Sequence, residues 1–144
     1  MNGDDSAFYS AETILDFLNQ HLENQATASV LSAELSDPSL YGRVVKRDDG
    51  RVEIVEKEYL TEEQKKIREI STVAYIFDKE LYENMFQKMP KMKKLGEYGI
   101  NPSLTMAQDE GKKAQVVKLK NNSEWFGVNT PAELAEADRL KNKK

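Results

Sequence analysis

Thr72-Val73-Ala74-Tyr75-Ile76-Phe77 is a continuous apolar run. A run of this length predicts a strand covered on both faces of a sheet. Asp78 follows at an N-cap position, ahead of Leu81, Met85, Phe86 and Met89 at helical spacing, and Pro90 ends that helix. Toward the C-terminus, Asn101-Pro102 reads as the cap and first position of another helix, closed by Gly111. Ala114 to Leu119 reads as a strand and Trp125 to Val128 as a shorter one. Thr130-Pro131-Ala132-Glu133 is a capping box that starts a last helix, with Leu134, Ala137 and Leu140 on one side. Toward the N-terminus, Thr61-Glu62-Glu63-Gln64 is a second capping box. Arg43-Val44-Val45-Lys46-Arg47 and Arg51-Val52-Glu53-Ile54-Val55 flank Asp48-Asp49-Gly50, which predicts a hairpin because the turn needs positive φ. Ala26 to Leu35 reads as a strand, and Ser10 caps a helix over 11–23 carrying Ile14, Leu15, Phe17, Leu18 and Leu22. Strands alternate with helices, so the expected architecture is α/β with a mostly parallel, mixed sheet and one inserted β-hairpin.

Composition narrows the function. The chain has 144 residues, enough for one domain, with 39% hydrophobic and 32% charged side chains. No apolar run approaches the ~18 residues of a membrane span. Met1 is followed by polar Asn2-Gly3-Asp4-Asp5, unlike a secretory leader, so a cytoplasmic location is expected. There is no cysteine and a single histidine, which excludes disulfides, thiolate chemistry and His-rich metal sites. A net charge of −4 argues against a nucleic-acid-coating surface. The basic stretch from Lys88 to Lys94 reads as a solvated connector, and Lys141 to Lys144 as a solvated tail.

The start of the chain is abrupt. In open α/β sheets, ligands bind where the strands' carboxyl ends meet loops. Gly3-Asp4-Asp5 resembles such a loop with only Met1 and Asn2 ahead of it, so an N-terminally truncated domain is expected. Asp4 and Asp5 are hard oxygen donors suited to Mg2+, and the Asn129 amide is a further candidate or a turn former. Gly3, Gly42 and Gly127 each stand beside a polar residue at an expected strand end, where backbone can approach a ligand closely. His21 is expected on a solvated helix face, and Trp125-Phe126 in a packing corner. There is no GxGxxG and no Walker-type loop.

Ser36-Asp37-Pro38-Ser39-Leu40-Tyr41-Gly42-Arg43-Val44-Val45, Val52-Glu53-Ile54-Val55-Glu56 and the stretch from Gln64 to Ile70 resemble, in that order, segments of the nucleotide-sugar pyrophosphorylases. The best fit is the uridylyltransferase domain that makes UDP-N-acetylglucosamine. Asn2-Gly3-Asp4, Gly96-Glu97-Tyr98 and Gly127-Val128-Asn129-Thr130 fit too, so the likeness covers nearly the whole chain. The fold it implies is Rossmann-like, of the glycosyltransferase-A-like kind.

The resemblance also implies roles. Asp4 and Asn129 would hold a catalytic Mg2+. Gly42 would offer its backbone to the sugar nucleotide, and Glu56 would accept hydrogen bonds from sugar hydroxyls. Ser71 stands where the family has a sugar-binding Asn. Asn2, with Gly3, would lie near the nucleoside or sugar. The reaction would join a sugar-1-phosphate to a nucleoside triphosphate and release pyrophosphate, without a protein nucleophile. The departures are Ser71 for Asn, Val73 for a glycine, Leu40 for another glycine, and the lack of the family's N-terminal Gly-x-Gly-Thr-Arg-Met loop and phosphate-binding lysine. A non-catalytic module that binds a sugar nucleotide or pairs with another subunit is the alternative. Another hexose-1-phosphate with UTP, dTTP or GTP is the alternative substrate set. An N-terminal-half partner or self-association is expected, because a truncated sheet exposes an edge.

Overall fold

A computed structural model describes residues 1–142 except Leu95 and Glu97. The Glu97 of the Gly-Glu-Tyr match and Lys143-Lys144 of the tail lie outside the described residues. Helix α1 spans Ala11–Glu23 and strand β1 Ala28–Glu34. The hairpin is β2, Arg43–Lys46, and β3, Val52–Val55. Strand β4 spans Glu69–Phe77 and helix α2 Lys79–Lys88. Helix α3 is Ser103–Asp109, strand β5 Ala114–Lys118 and helix α4 Pro131–Lys141.

The main sheet has the order β4-β1-β5 and is mixed. β1 runs parallel to β5, with Ala28 opposite Ala114 and Ser32 opposite Lys118. It runs antiparallel to β4, so the 72–77 run forms the antiparallel part of the sheet. β1 is the central strand and is buried along both faces. Leu31 and Ala33 pack with Phe17, Ile70, Val117 and Trp125 on one side. Val30 packs with Val44, Ile54 and Leu104 on the other, so the hairpin and α3 cover that face.

The β1–β4 register slips at one place. Val30 faces Tyr75, but Ser32 faces Ser71. Between them β4 bulges, and Val73 takes φ +55°. This left-handed region disfavours a β-branched residue, because Cβ crowds the following carbonyl. At the bulge the Thr72 hydroxyl donates to the Leu31 carbonyl at 2.9 Å, which satisfies that buried acceptor. Glycine, which the resemblance places at 73, would carry no such strain.

Local chemistry explains most boundaries. The Ser10 side chain caps α1 by accepting from Thr13 N–H at 3.1 Å. Gly50 at φ +83° closes the hairpin turn. Thr61 and Gln64 exchange hydrogen bonds as a capping box, which starts only a 3-10 turn over Gln64–Lys66. Gly111 follows α3 at φ +71°.

Four expectations are corrected. His21 is buried, not solvated: its Nδ1 lies 2.8 Å from Ser29 Oγ, and Ser29 also accepts from Gln115 at 3.0 Å. Asp78 sits 3.8 Å from His21 Nε2, but Ser29 has no exposed surface, so this trio packs helix on sheet and cannot meet a substrate. Leu15, Leu22 and Leu134 are exposed, which leaves Phe17, His21 and Ala137 as the inward residues of their helices. Trp125 to Val128 forms no strand; Trp125 is instead buried edge-on to Tyr41 at 5.0 Å. Asn101 does not cap α3, where Pro102 holds the N-cap position. The connector from Lys88 to Lys94 does keep its lysines exposed, as expected, and Lys94 N–H donates to the Tyr59 hydroxyl at 2.7 Å.

Candidate functional site

The two expected metal ligands come from opposite ends of the chain. The main-chain carbonyl of Asp4 accepts from Val128 N–H at 3.2 Å, which brings the loop at 2–5 beside Gly127, Val128 and Asn129. Asn129 is fixed by the helix that follows. Its N–H donates to Glu133 Oε2 at 2.8 Å, and Thr130 and Glu133 complete the capping box. The Asn129 bond, with help from Thr130, holds the Glu133 carboxyl below its ordinary range. Asp4 and Asn129 are both exposed. Two exposed oxygen donors on adjoining loops suit Mg2+, which keeps several waters and takes few protein ligands. Among the described residues no group of three or more acidic or histidine side chains gathers that could hold a metal, at this corner or elsewhere.

Asp5 does not share the outward position of Asp4. It is half-buried beside Gly127. A Cβ on Gly127 would stand 2.9 Å from Asp5 Oδ1, 3.1 Å from the Tyr41 hydroxyl oxygen and 3.2 Å from Trp125 Cζ2. Glycine is therefore favoured there by crowding against three side chains, not by backbone angle. Burial, and then the charge of Asp4, raise the Asp5 carboxyl to about 6. Tyr41 is raised as well, by burial first and then by Glu133 and Asp5. Tyr41 thus links this corner to its neighbour Gly42.

Gly42 is sterically required. A Cβ would lie 2.8 Å from the Val55 carbonyl oxygen and 3.4 Å from Glu56 Oε2. The loop therefore lies directly against the end of β3, where Glu56 begins the 3-10 turn Lys57–Tyr59. Arg43, buried, fastens this loop to β4: its Nε donates to Ile67 O at 2.7 Å, and its guanidinium also donates to Tyr41 O.

Glu56 and Ser71 belong to different elements but share one hydrogen-bond chain. Asn101 Nδ2 donates to Glu56 Oε1 at 2.6 Å. Asn101 Oδ1 accepts from the Tyr75 hydroxyl. Ser71 Oγ lies 3.5 Å from that hydroxyl and accepts from Val73 N–H at 3.2 Å. Burial raises the Tyr75 phenol, with Glu56 adding to the rise against an opposing Ser71 contact. Beside Glu56 is an open hollow of about 210 Å³ bounded by Val55, Tyr59, Met92, Asn101 and Pro102.

Gly42, Glu56 and Ser71 are thus joined, directly or through Asn101 and Tyr75, while Asp4 and Asn129 lie on loops held together by the Val128-to-Asp4 main-chain bond. Asn2 and Gly3 are exposed, and a side chain at Gly3 would meet nothing within 4 Å, so packing gives no reason for that glycine. Sequence reasoning missed Asn101 and Tyr75. Asn-Pro had an adequate explanation as a helix start, and Tyr75 as part of an apolar strand.

This architecture is the nucleotidyltransferase fold. A solved structure from Bacillus anthracis, assigned as a glucose-1-phosphate thymidylyltransferase and in complex with a sucrose, matches with TM-score 0.66 at 20% identity, over 88% of this chain and 48% of that one. In sequence, the chain is homologous to one part of the GlmU proteins. The bifunctional protein GlmU of Halalkalibacterium halodurans is 38% identical over 137 residues, 94% of this chain. That of Clostridium beijerinckii is 36% identical over 140 residues, 96% of this chain. The chain spans 30% of the length of each of these relatives. No protein-family model matches. No helix among the described residues is long and apolar enough to cross a membrane.

Proposed function

We propose that this chain is the sugar-binding part of a sugar-1-phosphate nucleotidyltransferase that forms a nucleotide-sugar, UDP-N-acetylglucosamine being the best fit, with release of pyrophosphate. The observation that carries the reading is the Glu56–Asn101–Tyr75–Ser71 chain lying against Gly42. It presents the Glu56 carboxylate, an acceptor for the hydroxyls of a sugar ring, backed by Asn101, Tyr75 and the buried Ser71. Homology to the GlmU proteins supports the same assignment.

In the reaction, an oxygen of the sugar-1-phosphate forms a bond to the α-phosphorus of the nucleoside triphosphate. The bond between that phosphorus and the oxygen bridging to the β-phosphate breaks, and its electron pair leaves with pyrophosphate. Such a transfer relies on positioning and charge neutralisation, so the absence of a cysteine or an accessible histidine is no obstacle. Mg2+ held by Asp4 and Asn129 would neutralise phosphate charge when bound. Glu56 orients the sugar, Ser71 backs it through Tyr75 and Asn101, and Gly42 lets the loop close against Glu56. The proposal places this work in the cytoplasm, in keeping with a chain that has no cysteine for an oxidising compartment.

Titration calorimetry with UDP-N-acetylglucosamine, with and without Mg2+, tests the reading. Binding that needs Glu56 and is strengthened by Mg2+ is expected. A folded chain that binds no nucleotide-sugar sinks it.

A further inference from the structure

Glu56 is an acid without a cation. Among the described residues no Lys, Arg or His forms an ion pair with it, although it is half-buried. Its side-chain hydrogen-bond partner among the described residues is the Asn101 amide, which donates to Oε1 at 2.6 Å. Oε2 lies 3.4 Å from where a Cβ on Gly42 would stand, so the glycine leaves it uncovered on that side.

The protons in the chain can be followed one by one. Tyr75 has a single hydroxyl hydrogen, and it goes to Asn101 Oδ1. Ser71 must then be the donor across the 3.5 Å contact to Tyr75, while its oxygen accepts from Val73 N–H. Every donor therefore points the same way, from the β4 bulge toward the Glu56 carboxylate. An aligned chain of this kind strengthens each of its bonds. It also fixes which way the Asn101 amide faces, with NH2 toward Glu56.

We infer that Asn101 is a positioning residue: its amide, oriented by Tyr75 and Ser71, holds Glu56 Oε1 so that Oε2 is left as an acceptor for a hydroxyl of the bound sugar. Asn101 neutralises none of the carboxylate's charge, so Glu56 repels phosphate and selects the uncharged, hydroxyl-bearing moiety. The inference rests on the sugar-nucleotide reading and deepens it, assigning the ring hydroxyl to Oε2 and the aim of that oxygen to a residue outside the expected set.

Calorimetry of the full chain with UDP-N-acetylglucosamine and Mg2+ tests it. Asn101→Ala is expected to weaken binding roughly 10-fold with the circular dichroism spectrum unchanged. Asn101→Asp keeps the shape but turns a donor into a second carboxylate facing Glu56. It is expected to bind poorly at pH 8 and to recover as pH falls, since a protonated carboxyl can donate to Glu56 again. Asn101→Ala does not recover. A purely structural role would not produce that difference. Wild-type affinity in Asn101→Ala, or no acid recovery in Asn101→Asp, overturns the positioning role alone. No binding by the unmutated chain sinks the sugar-nucleotide reading. The ligand-free chain then still decides the positioning role by NMR: a side-chain amide of Asn101 that exchanges quickly, and does not respond to Glu56→Ala, overturns it.

Discussion

The Asp4 carbonyl and the Val128 N–H form a main-chain hydrogen bond at 3.2 Å that unites the first loop of the chain with the segment leading into α4. Because it uses no side-chain atom, the Asp4 carboxylate can be removed without breaking it. Asp4→Ala is therefore expected to keep the fold and melting temperature while losing the Mg2+ enhancement of UDP-N-acetylglucosamine binding. Asn129→Ala is expected to do the same. Calorimetry at several Mg2+ concentrations checks both, and an undiminished Mg2+ effect would remove these residues as ligands.

Asp5 opposes stability at neutral pH. Its folded-state carboxyl is raised to about 6, against an ordinary 3.8. The folded chain therefore binds this proton more tightly than the unfolded chain does. Stability from this group is greatest below the ordinary value and declines as pH rises through about 4 to 6. Since the side chain is half in solvent, screening reduces the effect to about 1 kcal/mol. Asp5→Asn, without Mg2+, is expected to be more stable than the parent at pH 7.5 and equal to it at pH 3.5. Urea melts at the two pH values decide.

Val73→Gly reverses the usual rule for strands. The left-handed angle of Val73 costs about 1–2 kcal/mol, and glycine costs about 1 kcal/mol in unfolded-state entropy. The net expectation is between no change and about 1 kcal/mol of stabilisation. A loss of 2 kcal/mol or more in a denaturant melt would mean that the valine side chain's packing outweighs its strain.

Gly42→Ala places a methyl 2.8 Å from the Val55 carbonyl oxygen. Main chain must move, at a cost of about 1–3 kcal/mol. The same movement separates the loop from Glu56, so sugar-nucleotide affinity is expected to fall with stability. Equal stability and affinity in the variant would show that the loop gives way easily.

The parts legible in the sequence are those decided by near neighbours. Asp48-Asp49-Gly50 announces its turn because positive φ is a local demand. Thr130 and Glu133 announce α4 because both partners lie within one helical turn. His21 was misplaced because its partners, Ser29 and Gln115, are brought to it only by the sheet. Asn101 was assigned to a cap because Asn before Pro fits one, while its real partners come from β3 and β4. The kinship of Gly42, Glu56 and Ser71 came from resemblance. That Asn101 and Tyr75 connect the two acceptors is a property of the folded chain alone.

Arg43 has a mechanical consequence. Its guanidinium spans Tyr41 O on one side and Ile67 O on the other, so the loop carrying Gly42 and the entry to the strand carrying Ser71 behave as one rigid part. Opening a gap between them would strip a buried cation of the Ile67 carbonyl and leave it only Tyr41 O, within its own loop. Amides near 41–43 and 67–71 are thus expected to become exchangeable together, in one cooperative event, and a ligand settling there finds its frame already assembled.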